Sequence, residues 1–490
     1  MAEIQFTTSE INRSNDHSKS KLKTNSKPNK RGKSPSNRKK MPYSSPEANL
    51  RRLVAAKKNR INFISGTVSP APSAKHKAQE HKAQERRFES FEPSDLEDLE
   101  IGLDYLCKSY NYKTVISVQP KYMGSRFNLY LFNEDTVEGS CNTSYGVTRN
   151  GFLVKPKNET DTDSRASLSR TDFNNIVTDI YSRMKSWMDE HDVRMMIIDG
   201  ELMPWSVLGK SLIDQHFKSV DAGLIMESHC MQEYSFDSAM AKILDRFEGI
   251  NKFYPELTKN DRVLVYGEAL TKDYERFQEI YRFPNADKMR EYSDKYHRQM
   301  QLYGRHVTDT SNSRVEFKPF SILKLCFKDK SESIPLLDRS YSQGEMFDLL
   351  NQGMNSNHLL IKINSASDIP IAKVRLRSFF NRLTVDEGCE GVVLKPAYVE
   401  QKQIPMVKVR NPDYLTIIYG YDFQDEPKLR RLVMSKSTSS KIRHSIQEFQ
   451  IGMEMLIIPY DEIPTSKEYD SIFMRMINKE NMGKTLDPKL

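Results

Sequence analysis

VQPKYMGSRFNLYLF, residues 118–132, sets one lysine, Lys121, between a Pro-terminated apolar run and a Gly-Ser-Arg turn that leads straight into an alternating strand. An amine held at a strand tip is either a solvated turn residue or a nucleophile presented to something bound beside it. Taken alone Lys121 reads as the former, because a Lys-x-x-Gly is expected about once or twice by chance in such a chain. The other charged segments decide between the two.

Five short segments each place ionisable groups beside an apolar strand: Lys121 with Arg126, Arg149, Asp199 with Glu201, Glu390 with Lys395, and Lys408 with Arg410. In a strand, residues two apart share a face, so Asp199 and Glu201 project together, as do Lys408 and Arg410. Burying them without partners would cost several kcal/mol each. They must meet one another, a metal or a charged ligand. Singly, DGEL is a turn with an edge carboxylate and EGVVLK a plain buried strand; only the ordered set carries chemistry.

Around these segments the chain is periodic from about residue 92. PSDLEDLEIGLDYLCKSY has helical spacing, TVISVQ and RFNLYLF read as strands, and SYGVTRNGFLV is a candidate hairpin with Asn-Gly at its turn. Residues 172–190 read as a helix with an Asp cap, and VRMMIIDGELMPW as a buried strand ending in an acidic turn. Residues 207–306 carry helical periodicity with few strand signals. FKPFSILKLCFKD brings strands back, and a helix near 371–384 precedes strands in EGVVLKP and MVKVRNPDYLTIIYGYD. Residues 425–490 look helical, and the aromatics of YERFQEIYRF read as packing.

The 490 residues are 38% hydrophobic and 29% charged, enough for two or three domains but with a polar remainder. Residues 1–90 hold 21 Lys and Arg against 7 Asp and Glu, a net of +14, which leaves −6 for the rest of a chain of net +8. Residues 1–91, rich in Ser, Asn, Pro and Lys, read as a disordered basic tail. It is a polyanion tether, a nuclear address in KPNKRGKSPSNRKK, or a merely soluble extension. Five scattered cysteines with no Cys-x-x-Cys indicate neither a zinc site nor a disulfide framework, and fit a reducing compartment. No run of 18 apolar residues and no apolar leader suggests a membrane or secreted protein, so a cytoplasmic location is expected, or a nuclear one in a eukaryotic host. His191, His216, His229 and His297 show no partner pattern, and Asp386 and Glu387 read as solvated.

In order and in context the charged set resembles the covalent nucleotidyltransferases, the superfamily of ATP-dependent polynucleotide ligases and RNA capping enzymes. KYMGSR, TRNG, IIDGEL, FKPFSI, EGVVLK and VKVR look like its successive motifs. DGELMPWSVLGKSLI followed by a helical insert, and PMVKVRNPDYLTIIYGYD followed by a helical tail, resemble the ligase domain of bacterial polynucleotide kinase-phosphatase, an RNA repair enzyme, over roughly residues 95–460. The chain departs from that enzyme in having no Gly-x-x-x-x-Gly-Lys-Ser/Thr, so end healing would fall to a separate kinase/phosphatase, and sealing in that family can depend on a partner RNA methyltransferase.

The resemblance implies an α+β fold: a nucleotidyltransferase core of antiparallel sheets flanked by helices, split into residues 92–206 and 307–424, with a helical insert, a helical C-terminal module and no OB domain. It implies an ATP-dependent RNA ligase that carries AMP on Lys121, passes it to an RNA 5′-phosphate and seals that end to a 3′-hydroxyl. Glu201 and Glu390 would hold Mg²⁺ or Mn²⁺, Lys395 and Lys408 would act on the phosphates with Arg410, and Arg126 and Arg149 would contact ribose or phosphate. Phe320 would stack on adenine, Gly124 would let backbone approach the nucleotide, and Gln119 would contact the base. Two alternatives stand beside it: a DNA ligase or capping guanylyltransferase, and a non-catalytic RNA-binding protein with a nucleotide-binding core. The chemistry is demanding, since only about one free lysine in 2,500 is uncharged at pH 7. Surrounding cations and a metal would favour the neutral amine while stabilising a triphosphate.

Overall fold

The computed structural model describes residues 45–64, 68–72, 96–133, 143–157, 167–204, 217–251, 258–269, 271–272, 283–307, 315–353, 358–399 and 406–486. In chain order its strands are β1 (Ser69–Pro70), β2 (Thr114–Lys121), β3 (Ser125–Phe132), β4 (Tyr145–Thr148), β5 (Leu153–Lys157), β6 (Ser167–Ser169), β7 (Val193–Met203), β8 (Glu316–Phe327), β9 (Glu332–Ser333), β10 (Leu359–Ile363), β11 (Gly391–Pro396) and β12 (Val407–Arg410). They form two sheets, ordered β1-β12-β11-β2-β10 and β6-β5-β4-β3-β7-β8-β9. Both are antiparallel except at two edges, where β1 joins β12 and β6 joins β5 in parallel. The fold is α+β, as the sequence implied.

Period-2 alternation decides which face of each strand is buried. Ile116 and Val118 of β2, Val392 and Leu394 of β11 and Val407 and Val409 of β12 meet Leu103 and Leu106 of the helix Leu99–Ser109, and Leu376 and Phe379 of the helix Ile369–Asn381. The opposite face of that sheet carries the polar members of the same strands. In the larger sheet, Phe127, Leu129 and Leu131 of β3 with Met196 and Ile198 of β7 pack on the helices Arg170–Glu190 and Gln343–Leu350. Its other face is divided. One half, with Tyr130, Met195, Ile197 and Leu323, is covered by the C-terminal helices Lys436–Ile457 and Lys467–Leu486. The other half carries Arg126, Asn128, Asp199 and Glu201.

Several elements differ from the sequence expectation. The helix Pro46–Lys58 and β1 fall inside the expected tail, so residues 45–64 and 68–72 are folded. Leu53, Ala56, Ile61, Phe63 and Ile64 are buried against the C-terminal helices, each large side chain worth about 1.5–3 kcal/mol. Three ion pairs fasten this segment among the described residues, Arg52 to Glu480 at 3.0 Å, Lys57 to Asp470 at 2.6 Å and Arg60 to Asp461 at 3.0 Å. The remainder of the expected tail lies outside the described residues. Ser169, not an aspartate, caps the helix at 170, accepting from the Asp172 N–H at 3.0 Å. Residues 412–419 form a helix instead of a strand, because Asn411 caps it and Pro412 suits its first turn.

Where described, residues 217–307 are helical: Lys218–Glu233, Phe236–Asn251, Lys259–Tyr266 and Ala286–Val307. The first and last pack Leu224, Met289 and Tyr296 on Leu415 and Ile418 of the helix Pro412–Tyr419. Residues 411–486 are all described and hold no strand. Among the described residues, no helix is long and apolar enough to cross a membrane.

Candidate active site

Three strands build one wall. Ser117, Gln119 and Lys121 share the polar face of β2, and the register places Lys395 beside Ser117 and Gly391 beside Lys121 on β11. Lys408 and Arg410 of β12 follow, opposite Val393 and Gly391. A Cβ on Gly391 would stand 2.1 Å from the Val409 carbonyl oxygen and 2.7 Å from the Arg410 Cα, so only glycine lets β12 close on β11 here. Lys121 Nζ donates to Glu390 Oε2 at 2.7 Å. The lysine retains 19% of its side-chain exposure and the glutamate 6%.

The facing wall is the uncovered half of the larger sheet. Arg126 of β3 grips Asp199 of β7 through Nε at 2.9 Å and a terminal guanidinium nitrogen at 2.7 Å. Glu201, two residues on, sits opposite Arg126 in the register. Tyr122 and Phe320 lie nearly parallel, 9° apart with centroids at 6.3 Å, and Lys395 Nζ stands 5.3 Å from the Phe320 centroid. These contacts join the two walls.

The electrostatics follow from burying so many charges together. Burial brings Lys408 down to about 7, Arg410 acting in the same direction and Glu97 against it. Burial likewise brings Lys395 down to about 8, opposed by Asp199 and aided by Arg126. Burial pushes Glu201 up to about 7, with Lys121 opposing and Glu390 reinforcing the rise. Arg410 is fixed from behind: its N–H donates to Glu97 Oε2 at 2.9 Å, its Nε to Oε1 at 3.0 Å, and a terminal nitrogen to Oε1 at 2.5 Å. Burial would raise the Glu97 carboxyl, but Arg410, with help from Lys408, holds it below the ordinary range.

Two buried acceptors on the facing walls have no hydrogen-bond partner among the described residues: Glu201 Oε2 and Gln119 Oε1. Asn128 Oδ1, on the same face of β3 as Arg126, is a third. An orphaned carboxylate oxygen beside a second carboxylate fits a hard divalent cation, since oxygen is what such ions bind. Among the described residues there is no group of three His, Cys, Asp or Glu able to cage one, so water and phosphate oxygens would complete its shell.

The structure thus brings together Lys121, Glu201, Glu390, Lys395, Lys408, Gln119 and Phe320. Gly124 lets β7 approach, because a Cβ there would stand 2.6 Å from the Leu202 carbonyl oxygen. Arg410 faces Glu97 instead of standing open to phosphate. Asp199 finds its partner in Arg126. Arg149 lies in the turn after β4, exposed, in the field of Arg126, Glu448 and Glu480. Sequence reasoning missed Glu97, Tyr122 and Asn128. Asn128 carried a signal, a polar residue two along from Arg126 on the same face of the strand; Glu97 carried none, since it lies 313 residues from its partner.

Residues 55–477 match the model of a family described as the PNKP adenylyltransferase domain, ligase domain. No curated protein matches the chain. Among solved structures it resembles chains of the Pnkp1/Rnl/Hen1 complex, with TM-score 0.68 at 25% identity over 91% of this chain and all of that one. A second structure, of the Pnkp1/Rnl/Hen1 RNA repair complex, gives TM-score 0.69 at the same identity and coverage. A family match across most of the sequence, on a fold that sets the Lys121 and Glu390 pair in a wall facing Arg126, Asp199 and Glu201, leaves one assignment: the chain belongs to the family of the PNKP adenylyltransferase domain, ligase domain.

Proposed function

We propose that the chain is an ATP-dependent RNA ligase that works through a lysyl-AMP on Lys121, and that Glu201 and Glu390 are its metal-holding carboxylates. The observation that carries this reading is the Lys121 Nζ to Glu390 Oε2 contact of 2.7 Å on the sheet face that also holds Lys395 and Lys408. The core is residues 92–206 with 307–424, into which 207–306 are inserted as a helical module, and 425–490 form the C-terminal module.

In the first step Lys121 Nζ, having given up a proton toward Glu390 or water, attacks the α-phosphorus of ATP. The new N–P bond forms as the bond to the leaving pyrophosphate oxygen breaks. Lys395 and Lys408, charged once a triphosphate lies beside them, neutralise the charge gathering on the phosphates. Phe320 and Tyr122 offer aromatic surface to adenine, and Gln119 Oε1 and Asn128 Oδ1 are acceptors for its amino group. Bound Mg²⁺ or Mn²⁺ would supply Lewis-acid charge at the phosphates. In the second step an RNA 5′-phosphate oxygen displaces the amine, which takes back a proton. In the third an RNA 3′-hydroxyl attacks that phosphate and AMP leaves.

By analogy with the solved Pnkp1/Rnl/Hen1 RNA repair complex, the chain would work within a repair assembly, with end healing by a separate kinase/phosphatase and sealing supported by an RNA methyltransferase partner. The test is incubation with α-labelled ATP and Mg²⁺ or Mn²⁺. Acid-stable label on the wild type and none on Lys121→Ala supports the reading. Label from GTP and not ATP indicates a capping enzyme, and sealing of nicked DNA in preference to RNA indicates a DNA ligase.

A further inference from the structure

Resting on the RNA ligase reading, we propose that the basic stretch from Lys428 to Arg443 is the surface that grips the RNA phosphate backbone beside the site. Between Pro427 and Gln447 the chain carries six Lys or Arg (Lys428, Arg430, Arg431, Lys436, Lys441 and Arg443) and no acid. That run is conspicuous because residues 91–490 together carry a net charge of −6. Elsewhere on the surface many basic residues are tied to acids, as in Arg51 with Glu47, Lys288 with Glu291 and Arg475 with Glu454; within the run Lys428 is likewise paired with Asp422, which leaves the arginines as its open charges.

Its placement connects it to the catalytic walls at two points. The run spans the helix Glu426–Met434 and the first half of the helix Lys436–Ile457. Lys441 Nζ stands 5.5 Å from the centre of the Tyr419 ring, and the Tyr419 phenol acts on the charge of Arg410 in the first wall. Seven residues on, about 10 Å along the helix, Glu448 lies in the field of Arg149, which in turn feels Arg126 of the second wall. The helix therefore passes close to both walls, with Lys441 turned toward the first of them. Arg430, Arg431 and Arg443 are exposed and enter no ion pair among the described residues. A guanidinium suits phosphate because its planar fork donates two parallel hydrogen bonds. An exposed row of them without acids attracts a polyanion and lets it go as salt rises.

The test uses the full chain carrying R430Q/R431Q/R443Q together, with R430Q alone as a milder second variant, against single-stranded 5′-phosphorylated RNA. Label transfer from ATP to Lys121, which needs no RNA, should stay within twofold of wild type and so report an intact fold. RNA affinity of the triple variant should fall about hundredfold at 0.1 M salt, and the slope of log affinity against log salt should flatten by about 2, or about 0.7 for R430Q. Affinity and slope equal to wild type overturn the proposal. Loss of binding to an acidic protein partner with RNA affinity unchanged also overturns it. Failure of the wild type itself to label sinks the ligase reading, while the RNA-binding slopes still judge the strip.

Discussion

Lys121 and Glu390 are joined twice: side chain to side chain at 2.7 Å, and through the Glu390 N–H, which donates to the Lys121 carbonyl at 3.1 Å. The backbone bond fixes the strand end, so the carboxylate meets the amine with little freedom to lose. A partner held in this way both orients Nζ and stands ready to take its proton. Glu390→Gln keeps the shape and removes the charge. It should cut the rate of label transfer to Lys121 about 100-fold or more while leaving the thermal midpoint within a few degrees. A labelling rate within threefold of wild type would show that Glu390 has no part in the step.

Lys408 and Lys395 give the pH dependence a definite sign. Both have values depressed by burial, to about 7 and about 8, against an ordinary lysine near 10.4. The native protein therefore binds fewer protons than the unfolded chain from about pH 7 to about pH 10.4, and gains stability as pH rises through that window. A bound triphosphate favours the charged amines and draws protons in. ATP affinity should fall as pH rises from 7 to 9, by up to about tenfold per unit for each fully coupled proton. Calorimetry in buffers of different ionisation enthalpy should read proton uptake on binding. Lys408→Arg, always charged, should reduce that uptake; uptake undiminished in the variant would place the proton elsewhere.

Much of this site was legible because strands write it in period two. Asp199 with Glu201, and Lys408 with Arg410, could be placed on shared faces from spacing alone, and the structure keeps each pair on one face of its strand. What escaped depends on partners far away in sequence. Glu97 reads as one more acid before a helix until Arg410 arrives 313 residues later. The helix Pro46–Lys58 hides in a basic stretch because its few apolar residues suffice only against a surface the C-terminal helices supply. Arg410 looked like a phosphate ligand for the same reason: a guanidinium shows its partner only in three dimensions.

Glu201 separates a catalytic carboxylate from a structural one. Its Oε2 is buried without a hydrogen-bond partner among the described residues, and burial raises its value to about 7. The native state thus binds more protons than the unfolded chain between about 4.3 and 7, and loses stability as pH rises through that range. Glu201→Gln should remove that slope and leave the thermal midpoint unchanged or higher at pH 8, while abolishing metal-dependent labelling. In the wild type a chelator should stop labelling, and the Mg²⁺ needed for half-maximal rate should increase below pH 7, where metal must displace a proton. A variant that melts well below wild type yet labels normally would make Glu201 a packing residue.

Arg410 and Glu97 are the most deeply buried ion pair at the site, 4% and 3% exposed. Removing one partner leaves the other charged in a dry place, which costs about 3–5 kcal/mol, whereas removing both costs far less. Glu97→Ala should therefore destabilise the protein by that amount in a denaturant melt, and Arg410→Ala similarly. The double variant should recover most of the loss, with a coupling of about 2 kcal/mol or more. In Glu97→Gln the guanidinium of Arg410 stays charged beside Lys408 with no carboxylate to offset it. Since Arg410 lowers and Glu97 raises the Lys408 value, the pH profile of ATP binding should move to lower pH. Additive single losses and an unmoved profile would mean that the pair neither braces β12 nor sets the charge of Lys408.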